Sequence, residues 1–254
     1  MDSPLPALRA SVGRLHELCR GLDEAQLEAQ SYCSEWPIAG VLSHLGSSAV
    51  ILRRRLEDAL AGRTAPDDFA PSVWDEWNSK SPRAQADDAL IEDEGLLEAM
   101  EAMPGVDRAR LGLPMGPVTQ DFDHVVALRL NEHAFHTWDI EVVFDDGAHL
   151  PADAVAVVVD NLELIARFTA RPVREERTAR VGTTDPVRHF TLRLAPDSVE
   201  FTAVAEGGSE LDDLVLPAEA FCRLVYGRLD ADHTPAHTGD EPVLDTLRAV
   251  FPGP

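Results

Sequence analysis

The stretch from Asp121 to Phe144 constrains this chain more than any other. It runs Asp-Phe-Asp-His-Val-Val-Ala-Leu-Arg-Leu-Asn-Glu-His-Ala-Phe-His-Thr-Trp-Asp-Ile-Glu-Val-Val-Phe, without proline or glycine. At about 100° per residue, Phe122, Val125, Val126, Leu128, Phe135, Ile140 and Val143 cover most of a helical circumference. A helix that is apolar nearly all round is buried inside its protein. Yet Arg129, Glu132, His136 and Asp139 follow one another at steps of three, four and three, a narrow polar stripe on that helix. A buried charge costs on the order of several kcal/mol unless it is paired or bound to a metal. The stripe therefore needs a partner.

Two partners suit it. Glu132 and His136 stand four residues apart, so their side chains meet one turn apart. A carboxylate and an imidazole so placed make a good pair of metal ligands. A third ligand would come from another helix, and His44 is the leading candidate. It lies on the shoulder of its helix's apolar stripe, about 100° from the centre. His124 and His133 are rival ligands; His133 faces a neighbouring direction. The alternative is a buried ion network without metal, in which Arg129 pairs Glu132 and Asp139 holds His136.

Three more helices precede this one. Leu8, Val12, Leu15, Cys19 and Leu22 recur at three- and four-residue steps. Ile38, Val41, Leu42, Leu45, Ala49, Leu52, Leu56 and Leu60 mark a long second helix, with Pro37 in its first turn and Gly62 and Pro66 at its end. Residues 63–80 read as a loop carrying Trp74 and Trp77. Ser81-Pro82 opens a third helix with Leu90, Leu97 and Met100 on its apolar side, stopped by Pro104-Gly105. A loop rich in glycine and proline (Gly112, Pro114, Gly116, Pro117) leads to Asp121. Four such helices suffice for an antiparallel bundle.

Asp145-Asp146-Gly147 and Pro151 punctuate the chain most strongly. The expected organisation is α+β: a four-helix bundle over residues 1–148, then a smaller α+β domain over 149–254. In the second part a helix is expected at about 152–169. His189–Leu194 and Val199–Val204 alternate apolar and polar around Ala195-Pro-Asp-Ser198, which predicts a hairpin. Leu214–Leu216 suggests an edge strand, and helices are expected at 218–229 and 241–251.

Charge narrows the partners. The chain has 45 acidic against 22 basic residues, a net charge of −23. Such a surface repels phosphate backbones, so neither nucleic acid nor an anionic membrane surface is an expected partner. No uninterrupted apolar run is long enough to span a bilayer. The start lacks the pattern of a secretory signal. Cys19, Cys33 and Cys222 are too widely spaced for a disulfide framework or a Cys-x-x-Cys site. A cytoplasmic location is the expectation. Phosphate-binding loops, dinucleotide fingerprints, His-Glu-x-x-His and nucleophile elbows are absent. Trp36, Trp74, Trp77 and Trp138 are either pocket lining or core, with core favoured for at least two.

A family resemblance joins these pieces. Trp36-Pro-Ile-Ala-Gly-Val-Leu-Ser-His44-Leu-Gly46 resembles the tryptophan–leucine–histidine signature of DinB-like four-helix proteins. More narrowly, it resembles the metal-binding N-terminal domain of mycothiol-dependent maleylpyruvate isomerases. Arg129-x2-Glu132-x3-His136-x2-Asp139 is similar to that family's second motif. The tail, from Leu216-Pro-Ala-Glu-Ala-Phe through Gly227-Arg228 to Thr238-Gly239-Asp240 and Leu247-x3-Phe251, is similar to its sterol-carrier-like C-terminal domain. Pro37 stands where threonine is more usual in the first motif, a change that bears on capping and not on ligation.

The resemblance implies a divalent metal ion, usually zinc, held by His44, Glu132 and His136, with mycothiol as thiol cofactor. It implies an isomerase or thiol S-transferase in which a metal-bound thiolate attacks a small electrophile such as maleylpyruvate. Acidic substrates would need cationic partners, and Arg83 and Arg228 are the candidates. The rival expectation is a non-catalytic small-molecule binding protein with a structural metal. The sequence is nearly silent on oligomeric state.

Overall fold

In the computed structural model the described residues are 3–115, 118–174, 176–204 and 212–253. The chain divides into two compact units, Met1–Ala148 and His149–Pro254.

The first unit is built on four long helices: α1 (Leu5–Cys19), α3 (Ile38–Ala61), α5 (Pro82–Ala102) and α7 (Phe122–Glu141). Their ends follow local chemistry. Asp121 caps α7 by accepting the His124 N–H at 2.9 Å. Ser81 caps α5, with Pro82 at the first helical position. Pro37 stands at the N-cap of α3, one residue before the helix, and Gly62 ends it in the left-handed region at φ 65°. A short helix α2 (Glu24–Glu28) follows α1 behind an Asp23 capping box.

Residues 63–80 are not a simple loop. They contain helix α4 (Phe69–Asn78). Phe69, Val73 and Trp77 recur at four-residue steps, a pattern obscured by Pro66 and Pro71; Pro71 sits in the first turn, where it costs little. Trp77 is 3% exposed and packs in a core with Leu42, Leu45, Ala86 and Ala89. There Gly46 is obligatory. A Cβ at Gly46 would lie 2.2 Å from the Trp77 ring and 2.9 Å from the Ala89 backbone. Helix α6 (Gly105–Arg110) follows Pro104, so the chain resumes a helix where a stop was expected. The expected glycine- and proline-rich loop holds two paired strands, β1 (Leu113–Met115) and β2 (Val118–Gln120); Gly116 and Pro117 lie outside the described residues.

The second unit opens with α8 (Ala152–Val158), a 3-10 turn (Val159–Asn161) and α9 (Leu162–Thr169). Its sheet runs β5-β4-β3-β6-β7. The strands are β3 (Arg177–Thr184), β4 (Arg188–Leu194), β5 (Val199–Val204), β6 (Leu214–Pro217) and β7 (Thr238–Gly239). The β4–β5 hairpin pairs His189 with Val204 and Leu194 with Val199. Strand β6 is interior rather than an edge, parallel to β3 and flanked by β7. Helices α10 (Ala218–Val225) and α11 (Glu241–Val250) complete the unit. Helix α10 ends before Gly227, shorter than the 218–229 expected. Phe190, Phe201 and Phe221 form its aromatic core, with ring centroids 5.0–6.0 Å apart.

Candidate metal centre

Helix α7 is buried on nearly every side, as its sequence requires, and Glu132 is the exposed exception near its middle. His136 stands one turn on, 8% exposed. His44 reaches the same place from α3, two residues before the Gly46 contact that draws α3 against α4 and α5.

Ligand atoms of His44, Glu132 and His136 all lie within 4.8 Å of one another. His44 Nε2 is 3.0 Å from Glu132 Oε2, and His136 Nε2 is 3.7 Å from the same oxygen. Two imidazole nitrogens thus face one carboxylate oxygen from two helices. Desolvation by the surrounding atoms opposes the Glu132 charge. The hydrogen bond from His44 and the nearby His136, His44 and Arg129 outweigh it and hold the carboxyl down at about 2. The His136 imidazolium is pushed down by burial, against the hydrogen bond and charge of Asp139. A neutral imidazole beside a persistent carboxylate is the protonation state that a cation requires.

Behind the ligands lies a second layer. His136 Nδ1 donates to Asp139 Oδ2 at 2.8 Å, which leaves Nε2 facing Glu132. Cys33 Sγ donates to the same oxygen at 3.1 Å. Cys33, His136 and Asp139 therefore also converge, but through hydrogen bonds to a shared acceptor. A carboxylate on the far nitrogen of a ligating histidine fixes its tautomer and ring orientation.

The donor set is two imidazole nitrogens and one carboxylate oxygen. Three protein ligands of this kind leave a coordination position open, as in catalytic zinc sites. The carboxylate has no cationic side chain of arginine or lysine within hydrogen-bonding reach among the described residues, so a divalent cation fits the arrangement.

The metal-free ion network survives only in part. Asp139 does hold His136, but Arg129 does not pair Glu132. Arg129 instead bonds Asp93 Oδ1, Ser48 Oγ (2.7 Å) and the Leu45 carbonyl (3.0 Å). His133, the rival ligand, belongs to that network, 3.1 Å from Asp93 Oδ2 and 3.2 Å from Ser11 Oγ. His124 is occupied by Asp121 at the helix cap. Arg83 donates to the Leu22 carbonyl at 2.6 Å and lies 3.7 Å from Asp87, so its contacts are away from the histidine–carboxylate group. Arg228 belongs to the second unit, is buried, and donates to the Tyr226 carbonyl at 2.8 Å. Of the tryptophans, Trp77 and Trp138 are core, Trp74 is exposed, and Trp36 lies against His44. Sequence reasoning missed Asp93, although its place between Leu90 and Leu97 on the apolar side of α5 marked it as a buried charge. Cys33 was legible only as one of three widely spaced cysteines.

Residues 8–141, more than half of the chain, match the family described as the mycothiol maleylpyruvate isomerase N-terminal domain. Among solved structures, a mycothiol-dependent maleylpyruvate isomerase superposes with a TM-score of 0.66 at 13% identity, covering 92% of this chain and 91% of that one. A histidine-to-alanine variant of that isomerase gives the same values. At that identity the likeness speaks for the fold. The curated proteins contain no match. The extent of the match over the helical unit places this chain in the mycothiol maleylpyruvate isomerase N-terminal domain family.

Proposed function

We propose that the protein is a divalent-metal-dependent, mycothiol-using enzyme, an isomerase or thiol S-transferase acting on a small electrophile such as maleylpyruvate. The observation that carries this is the convergence of His44, Glu132 and His136 around one carboxylate oxygen, with an open side. Family membership supports the thiol, and the two-nitrogen, one-oxygen donor set supports zinc. A cation bound there would supply Lewis acidity that deprotonates a coordinated thiol near neutral pH.

The chain's own residues do the rest. Glu132 contributes the negative charge that retains the cation. Asp139 keeps a proton on His136 Nδ1 and so keeps Nε2 available. The half-exposed faces of His44 and Glu132 leave room for thiol and electrophile to meet. A net charge of −23 opposes an acidic substrate, so a dicarboxylate needs local cations. Arg83 and Arg228 are the candidates for that role, and each would have to leave its present carbonyl partner, Leu22 and Tyr226 respectively, to take it.

The test uses cobalt-substituted protein. Mycothiol should perturb the cobalt absorption spectrum, and maleylpyruvate should then be isomerised. The Arg83→Gln and Arg228→Gln variants should raise KM for the dicarboxylate. A cobalt spectrum unmoved by mycothiol would instead indicate a closed, structural site and a binding protein.

A further inference from the structure

The two histidines of the site are held by different means. His136 has Asp139 on its far nitrogen. Among the described residues, the one side-chain hydrogen bond of His44 runs from Nε2 to Glu132, its fellow ligand. A cation placed between Nε2 and the carboxylate would replace that bond. Nothing polar would then fix the His44 ring.

An aromatic ring lies where the missing support should be. The Trp36 indole is stacked on His44, with centroids 5.1 Å apart and planes inclined at 30°. It also lies 6.0 Å from the His136 ring, and the two imidazoles meet edge to face at 4.8 Å. Trp36 is 37% exposed, whereas Trp77 and Trp138 are 3% and 1% exposed and serve the core. Its backbone is nevertheless fixed. The Trp36 carbonyl accepts from Ser31 Oγ at 2.7 Å and Gln30 Nε2 at 2.8 Å, and its N–H donates to the Cys33 carbonyl at 2.9 Å. An indole on a hydrogen-bonded backbone, partly buried and stacked on a ligand, is well placed to keep that ligand in one rotamer.

We propose that Trp36 is the positioning residue of the His44 ligand, taking by ring stacking the part that Asp139 takes by hydrogen bonding for His136. This rests on the metal site proposed above. The account predicts that the ring, rather than apolar bulk, matters.

The test compares Trp36→Leu with Trp36→Phe in the full chain. Zinc affinity is measured by competition with a chromogenic chelator, ligand geometry from the cobalt absorption bands, and stability from the thermal midpoint of metal-free protein. Unsupported ligands lose about tenfold or more in metal affinity. The Leu variant should therefore bind zinc about tenfold more weakly, with altered cobalt bands. The Phe variant should restore most of both, and the metal-free midpoints of the two variants should agree. Equal zinc affinity in wild type and the Leu variant would overturn the proposal. So would equal weakening in both variants, or weakening that follows the metal-free midpoint. Wild-type protein is titrated first, so failure of the metal site itself would show there, before any variant is compared.

Discussion

Asp139 is fully buried, yet one of its oxygens accepts from both His136 Nδ1 and Cys33 Sγ. Replacing it with asparagine removes the charge that orients the ligand without removing the ligand. Zinc affinity in Asp139→Asn should fall about 10- to 100-fold, as read by chelator competition. The pH dependence follows from the same residues. Glu132, held at about 2, stays ionised through the range in which histidines titrate. Burial keeps His136 neutral to below its ordinary 6.5. Zinc should therefore be retained through pH 7 and released on acidification by imidazole protonation, well before the carboxylate gains a proton. The stripe of Glu132, His136 and Asp139 was legible because its spacing set polar groups on an otherwise apolar helix. Trp36 was legible as part of the first motif, but its stacking on His44 was not, nor was the contact of Cys33 with Asp139, because both come from the segment before α3 and only tertiary contact brings them to the site.

Four helices meet at one buried network, which joins Ser11 of α1, Ser48 of α3, Asp93 of α5 and Arg129 and His133 of α7. Desolvation opposes the Asp93 charge, but Arg129 and His133 outweigh it and hold the carboxyl below 3.8. A depressed carboxylate stabilises the fold fully above its unfolded value and loses that contribution as pH falls through its folded value. The network's stabilisation should therefore be intact above about pH 4 and lost only in stronger acid. Asp93→Asn leaves Arg129 without its buried counter-charge and should cost about 3–5 kcal/mol in denaturant unfolding. It should also flatten the acid dependence in that window. At Gly46 the packing of α3 against α4 and α5 admits no side chain, and Gly46→Ala should cost about 1–3 kcal/mol through overpacking. The long helices were legible from apolar periodicity. Helix α4 was obscured by its prolines. Strand β3 was missed because Ala179 and Val181 are its only buried apolar side chains, too weak a pattern without its neighbours. Strand β6 looked like an edge because its partners, β3 and β7, are distant in sequence.

The two compact units meet in sequence at Ala148 and His149, directly after Asp145-Asp146-Gly147. Glycine and proline punctuate the sequence in the same stretch. No helix among the described residues is long and apolar enough to cross a membrane. Net charge acts on the whole chain. At −23, like-charge repulsion opposes compaction, while exposed pairs such as Arg193–Glu200 return only about 0–1 kcal/mol each. Raising ionic strength from 0.01 to 0.15 M shortens the screening length from about 30 to about 8 Å. The thermal midpoint should rise with that change. The charge also bears on the site, since an acidic protein offers the Glu132 carboxylate no general positive potential and leaves a cation as its natural counterpart. The direct measurement of that claim is native mass spectrometry of the full chain, counting metal in wild type and in the His44→Ala, Glu132→Ala and His136→Ala variants. The account predicts about one divalent ion per wild-type chain and its loss from each folded variant. Wild-type protein that binds no divalent ion when zinc is supplied, or variants that all retain it, would contradict the account.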